Sequence, residues 1–441
     1  MRNSNSGMIS VSAATAVGLG AIIGAGIFVL SGTSIALAGA DALIAFALVG
    51  FIAVLIALEL GELGSIFPKS EGASYSYVYN AFGSELGFIT GIIFYFSSAI
   101  AVSAISIGFG SYLANLLGFG PGTSLYFAIM LIILLALLNL MGIKKAVNAD
   151  FALVIVKISV LLAFVAFAMY FAFAAGHFKA SNFGVSAAQA GIAPIAASSI
   201  VIIFAYSGFQ TISTFTSKVR GGANAAAKSI LLSVVLSLAV YISIIIALML
   251  LLPSSAFSVS SADPISIALD ASSAPYALKL AVGLGALIAT ASASLAMFLR
   301  SSRIAYQLGK DGLIPKTLGR YDAKRDISPN AVLVTSAFAV VALFSGNVYI
   351  IASISVFGVL FTYLMSSFAL IHFRRIKKSG SFSIPLYPYL PAVAIISILA
   401  FMFGLPNQSL VIGTVMVIAL IMIYYFLSEY EEKRVIKVRL F

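Results

Sequence analysis

Between Val17 and Gly32 the chain reads VGLGAIIGAGIFVLSG, five glycines in sixteen residues of otherwise apolar sequence. Gly costs about 1 kcal/mol against Ala inside a helix, and a backbone group left unpaired in hydrocarbon costs several kcal/mol more. A helix that comes apart there must find partners for the freed groups. Amides at a half-helix N-terminus carry partial positive charge and suit a carboxylate, while carbonyls at a half-helix C-terminus suit an ammonium. A second interruption, Ser207-Gly208 in IVIIFAYSGFQTIS (Ile200 to Ser213), follows about five apolar spans later. Two breaks in corresponding halves point to an inverted-repeat transporter, and the paired ends match the chemistry of an amino acid. Close packing of small residues is the competing reading for Gly20 and Gly24.

Lys157, in FALVIVKISVLLAFV, is the next residue able to do chemistry. It lies about 12 Å from the start of its span at 1.5 Å per residue. Either its stem snorkels to the interface or its ammonium marks an ion or proton path. Glu59 and Glu62, one turn apart near the end of a span, read as interfacial or packing carboxylates, with a proton role as the alternative. Arg300 and Arg303 are expected at the cytoplasmic mouth, Asn148 and Asp150 as helix-start residues, Tyr95 as a core aromatic, and His177 and His372 at membrane edges.

These residues need a membrane frame. Of the 441 residues, 61% are hydrophobic and 9% charged, far from the roughly 25% charged residues of a soluble domain, so the chain is an all-α integral membrane protein. Cysteine is absent, which excludes disulfides and thiolate sites. Apolar runs of about 20 residues give twelve transmembrane helices, near 10–37, 42–67, 83–114, 123–142, 149–175, 191–215, 228–252, 277–307, 330–346, 348–372, 385–404 and 408–428. The first run has no cleavage site after a short core, so it is read as a span rather than a leader.

The net charge of +11 is spread over loops, which argues for topology and against nucleic acid. With both termini cytoplasmic, the inner connections hold Lys69, Lys144, Lys145, Lys218, Arg220, Lys228, the run Lys310 to Arg325 and the cluster Arg374, Arg375, Lys377 and Lys378. The outer side holds Lys179 and Lys279. The external stretch Pro253 to Pro275 is either a plain loop or a seat for short helices. Enzyme chemistry finds no support: GLGAIIG has the GxGxxG spacing without a βαβ context, and no metal-ligand cluster, nucleophile elbow or cofactor motif is present.

Several stretches together resemble the amino acid, polyamine and organocation transporter superfamily. They are GAIIGAGIF (Gly20 to Phe28), FPKSEGASYSYVY (Phe67 to Tyr79), FAYSGFQ (Phe204 to Gln210), SSRIAYQLGKDGLIP (Ser301 to Pro315) and FRRIKKSGSFSIPLYPYLP (Phe373 to Pro391). The resemblance implies one transporter domain over 1–441 with a leucine-transporter-like 5+5 inverted repeat, helices 1 and 6 broken. Repeat one covers about 10–175, repeat two about 191–372, and accessory helices about 385–428. It implies that backbone at Ile23, Gly24, Ala25, Gly26 and Ile27 receives the substrate carboxylate. Phe204, Ala205, Ser207 and Gly208 then line the amino-group side, with Phe204 as an aromatic lid.

In proton-coupled members a lysine at the place of Lys157 fills the cation site, which implies Gly20, Ile23 and Ser292 as its neighbours and protons as the coupling ion. The chain departs from the pattern at Glu71-Gly72 and at TSKVRGGANAAAKS, including Ser217 and Arg220, where loop contacts differ. Spans one, three, six, eight and ten carry no Asp or Glu in their central portions, so a cationic substrate lacks a counter-ion. The expected function is proton-coupled import of neutral amino acids. A cationic amino acid or polyamine carrier or exchanger is the alternative, and a channel or non-transporting subunit is a more distant one.

Overall fold

The computed structural model describes residues 9–67, 74–141, 150–186, 189–208, 210, 219–320, 322, 328–345 and 348–439. Regular structure among them is helical. The helices are α1 (Val11–Ile22), α2 (Ala25–Ala38), α3 (Ala42–Ile66), α4 (Ser74–Phe82), α5 (Ser84–Leu116), α6 (Ser124–Met141), α7 (Asp150–Met169, continued by a π turn), α8 (Ile192–Tyr206), α9 (Gly222–Leu251), α10 (Pro264–Ala271), α11 (Tyr276–Lys310), α12 (Pro329–Leu343), α13 (Val348–Arg375), α14 (Tyr389–Phe403) and α15 (Asn407–Arg439). Eight helical segments among the described residues are long and apolar enough to cross a membrane, and α1, α8, α12 and α14 are shorter apolar helices.

Local sequence explains the ends that matter. Ser10 caps α1, its Oγ accepting from the Ala13 amide at 3.1 Å. The turn between α2 and α3 needs a positive φ at Gly39 (57°), which Gly adopts without a Cβ penalty. There the Gln189 side chain donates to the Ile35 and Ala36 carbonyls at 3.3 and 3.0 Å, satisfying the end of α2. The stretch Pro253 to Pro275 does hold a short helix, α10, packed on α2, α9 and α11.

In lipid, helices associate through close packing rather than through escape from water. Large apolar side chains such as Ile44, Leu48 and Phe51 on α3 or Ile133, Leu134, Leu137 and Leu138 on α6 face outward, where hydrocarbon solvates them. The centre of the bundle is built from pairs: α2 on α8, α5 on α11 and α3 on α9. Around them α1 packs on α7 and α9, α8 on α3 and α13, α5 on α13, and α7 on α11.

Candidate functional site

The first expected break is present and two residues long. Ile23 and Gly24 separate α1 from α2, with the Ile23 amide donating to Leu19 O at 2.7 Å and the Gly24 amide donating back to Ile22 O at 2.8 Å. With Ile23 at φ −73°, ψ 82°, this is an inverse γ-turn. Residues 23 to 27 are all buried. Gly24 stands at the N-cap of α2 and has no side chain to cap its amides, so the first-turn N–H groups of Ala25, Gly26 and Ile27 lack an intrahelical partner.

The carbonyl ends are handled differently. Lys157 Nζ, 2% exposed in α7, donates to Gly20 O at 3.5 Å. Tyr241 Oη, from the middle of α9, lies 2.8 Å from Ile22 O and 3.0 Å from Ala205 O. One phenol therefore ties the last turn of α1 to the last turn of α8. At the second break the Ser207 hydroxyl turns back to Phe204 O at 2.8 Å, and the Arg300 guanidinium donates to Ser207 O at 3.2 Å while lying over the Phe94 ring. Cations and hydroxyl donors from the protein thus meet both C-terminal ends, the polarity that a helix dipole favours there.

Glycine here serves close approach. A Cβ on Gly26 would fall 2.3 Å from Ala205 Cα, and one on Gly208 would fall 1.9 Å from the Ala21 carbonyl oxygen. At Gly20 it would meet Val154 of α7 at 2.1 Å, whereas at Gly24 it would meet only the Ala293 methyl at 3.0 Å. The close-packing reading of Gly20 therefore holds beside the chemical one. Both breaks touch: α1's end lies against Gly208 and α2's start against Ala205.

The other expected site residues fall around this junction. Phe204 is buried at the end of α8. Ser292 keeps its hydroxyl on its own helix, donating to Ala289 O at 3.1 Å, but its neighbour Ala293 faces Gly24, so that turn of α11 borders the first break. Tyr95 is the core aromatic expected: its hydroxyl donates to Ala331 O and receives Thr335, both at 3.1 Å. Asn148, Glu71, Gly72 and Ser217 lie outside the described residues.

Arg300 differs from its expected place, because its side chain points back to the second break instead of standing at the mouth. It sits ten residues before the end of α11 at Lys310, about 15 Å inside the helix. That depth was the available signal. Tyr241 also escaped sequence reasoning, although a tyrosine in the middle of an apolar span must find a partner for its hydroxyl. Among the described residues no group of three His, Asp or Glu is placed to hold a metal ion.

Comparison with known proteins finds relatives along nearly the whole chain. A family model described as Amino acid permease matches residues 9–427. The branched-chain amino acid permease BcaP of Bacillus subtilis is 25% identical over 442 residues, covering 95% of this chain and 92% of that one. The methylthioribose transporter of the same organism is 26% identical, covering 94% and 92%. A crystal structure of a manganese transporter mutant from Eremococcus coleocola superposes with a TM-score of 0.61 at 16% identity, covering 98% of this chain and 95% of that chain, a likeness of fold.

Proposed function

The chain belongs to the amino acid permease family, and from that premise we propose that it is a proton-coupled secondary carrier of neutral amino acids working by alternating access. It is a multi-pass membrane transporter. The proposed frame is twelve spans, α1 with α2 forming the first and α8 opening the sixth, with both chain ends in the cytoplasm. Spans one to five and six to ten form the inverted repeat.

The packing supports that frame. Adding five to each span number turns the contact of spans one and seven (α1, α9) into that of six and two (α8, α3). It likewise turns one and five (α1, α7) into six and ten (α8, α13), and three and ten (α5, α13) into eight and five (α11, α7). A chance bundle has no reason to exchange its contacts in this way.

The observation that carries the substrate reading is the asymmetry of the two half-helix polarities. Carbonyls at both breaks already have protein donors, whereas the first amides of α2 have no side-chain cap. A substrate carboxylate fits those amides. Lys157 serves as the coupling group, because its ammonium neutralises the carbonyl end of α1 only while it holds its proton. Arg300 adds a second cation beside the site and opposes a third on the substrate, which favours neutral amino acids over cationic ones. Relatives named as cationic amino acid transporters in Arabidopsis thaliana and a serine/threonine exchanger in Bacillus subtilis define the alternatives to test.

In proteoliposomes, labelled leucine or alanine uptake should be competed by neutral amino acids, respond to a pH gradient and ignore sodium. Inhibition by arginine, lysine or putrescine alone would overturn the neutral assignment. Inhibition by aspartate or glutamate would assign Arg300 to a second substrate carboxylate. Counterflow against unlabelled substrate separates a carrier from a channel.

A further inference from the structure

Glu59 and Glu62 sit one turn apart on α3, both fully buried, and the structure treats them in opposite ways. Glu62 is clamped: Arg374 Nη2 donates to it at 2.8 Å and the Ile384 amide at 2.7 Å, with the guanidinium stacked over Tyr387. Among the described residues Glu59 has no such cation. Its partner across the interface is Ser367 of α13, whose Oγ is hydrogen-bonded to Glu59 Oε2. The other carboxyl oxygen, Oε1, is buried with no hydrogen-bond partner among the described residues.

The protons available at this pair bear on its state. Ser367 Oγ also lies 3.2 Å from Tyr363 O, one turn back on its own helix. A serine hydroxyl has one proton, and two acceptors, an ionised carboxylate and a carbonyl, compete for it. One arrangement gives each contact a proton of its own: Glu59 carries a proton and donates it to Ser367 Oγ, while the Ser367 hydroxyl donates to Tyr363 O. An ionised Glu59 would instead be a buried charge facing a single donor, a costly state in an apolar interface.

We propose that Glu59 is an intramembrane proton-binding site whose proton holds α3 against α13 through Ser367. The groups facing it are few. On α3 the facing charge is Glu62, itself neutralised by Arg374. From α13 come Ser367 and, one turn earlier, Tyr363, whose hydroxyl accepts from Gln210 Nε2 at 2.6 Å. Tyr206 of α8 directs its hydroxyl toward Gly50, far along α3. On α9, Tyr241 is committed to the two breaks and Lys228 is exposed, and α14 carries no charged residue.

Release of the proton to water leaves a carboxylate with no cation of its own, so release requires the α3–α13 face to part and admit water from the Arg374 end. Rebinding closes it. Because Gln210 lies just past the second break and bonds Tyr363 on the same helix, movement of α13 is passed directly to the substrate region. Use of this proton in transport rests on the carrier reading above; the bound proton itself does not.

Infrared spectroscopy of the purified protein tests it. At neutral pH the wild type should show a protonated carboxyl stretch that Glu62→Gln retains and Glu59→Gln loses. Ser367→Ala should shift the frequency of that stretch, which keeps the test open should Glu59→Gln fail to fold. Absence of the stretch in the wild type, its persistence in Glu59→Gln, or an unchanged frequency in Ser367→Ala overturns the site. In vesicles, Glu59→Gln should lower pH-gradient-driven accumulation roughly tenfold relative to its own counterflow. Equal losses of both overturn the coupling role, whereas a wild type that ignores the pH gradient overturns the proton-coupled carrier and leaves the infrared result standing.

Discussion

The two breaks look alike in sequence and are finished differently in three dimensions. The first is a two-residue γ-turn whose carbonyl side is met by Lys157 and Tyr241, and whose amide side has no side-chain cap. The second ends α8 with three donors: Ser207 on Phe204 O, Tyr241 on Ala205 O and Arg300 on Ser207 O. The lesson concerns polarity. Under the proposed reading, a break that holds an amino acid need not leave both poles to the ligand, because the protein supplies its own cations at the carbonyl ends and leaves the amide end without a side-chain cap. In that reading a substrate ammonium has to share or displace Tyr241, Lys157 or Arg300, and the proposed competition couples binding to movement.

The largest effect expected is at Lys157. Lys157→Ala should abolish proton-driven accumulation in vesicles with the carrier still folded, since it removes the cation on the carbonyl side of the first break; full accumulation by the variant would break the comparison there. Next come the glycines. Gly208→Ala pushes a methyl into the Ala21 backbone carbonyl and should lower stability by about 1–3 kcal/mol or more, read as loss of thermal stability in detergent. Gly24→Ala, which meets only the Ala293 methyl, should cost clearly less. Equal losses would mean that the first break is as tightly closed as the second.

Tyr241→Phe should follow, costing about 1–3 kcal/mol because it strips the one proton that two buried carbonyls share. Its sharper readout is transport: if the phenol ties the two breaks together, substrate affinity and maximal rate should both change in counterflow, whereas a purely local role would move stability alone.

The smallest effect belongs to Asp263, at the start of α10, which packs on α2. Burial, and after it the charge of Asp270, pushes its carboxyl up to about 6 from 3.8. A proton is held more tightly in the folded state, so the favourable contribution is complete below about pH 4 and is lost as pH rises through 6. Asp263→Asn should therefore gain about 1–2 kcal/mol over the wild type above pH 6, after allowance for partial solvent screening, with the gap closing toward pH 4. A pH-independent gap would contradict it.

Much of the site was legible because its signals are local. Glycine spacing in GAIIGAGIF and the Ser-Gly step in FAYSGFQ mark where a helix cannot continue cheaply, and both breaks are found there. Lys157 stood out because a cation deep in an apolar run is rare, and its neighbour Gly20 is found at its side. Arg300 was visible as a charge but not as a partner of Ser207, because its direction depends on how α11 is rotated against α8. Tyr241 signalled only that its hydroxyl needs some partner, and Ser367 gave no signal: serine is common in apolar spans, and the partners here include backbone carbonyls, which every residue possesses.

The sequence by itself determined that this chain lives in a membrane, that one helix is interrupted at Ile23-Gly24 and that another stops at Ser207-Gly208, because hydropathy and glycine placement act within a single turn or span. The tertiary structure alone decided which donors close those ends. Tyr241 lies 219 positions from Ile22, Arg300 lies 93 from Ser207, and Ser367 lies 308 from Glu59. Such pairs form only when packing brings distant helices within about 3 Å, a distance at which hydrogen bonding depends on helix rotation and register, and neither is written in the order of residues along either helix.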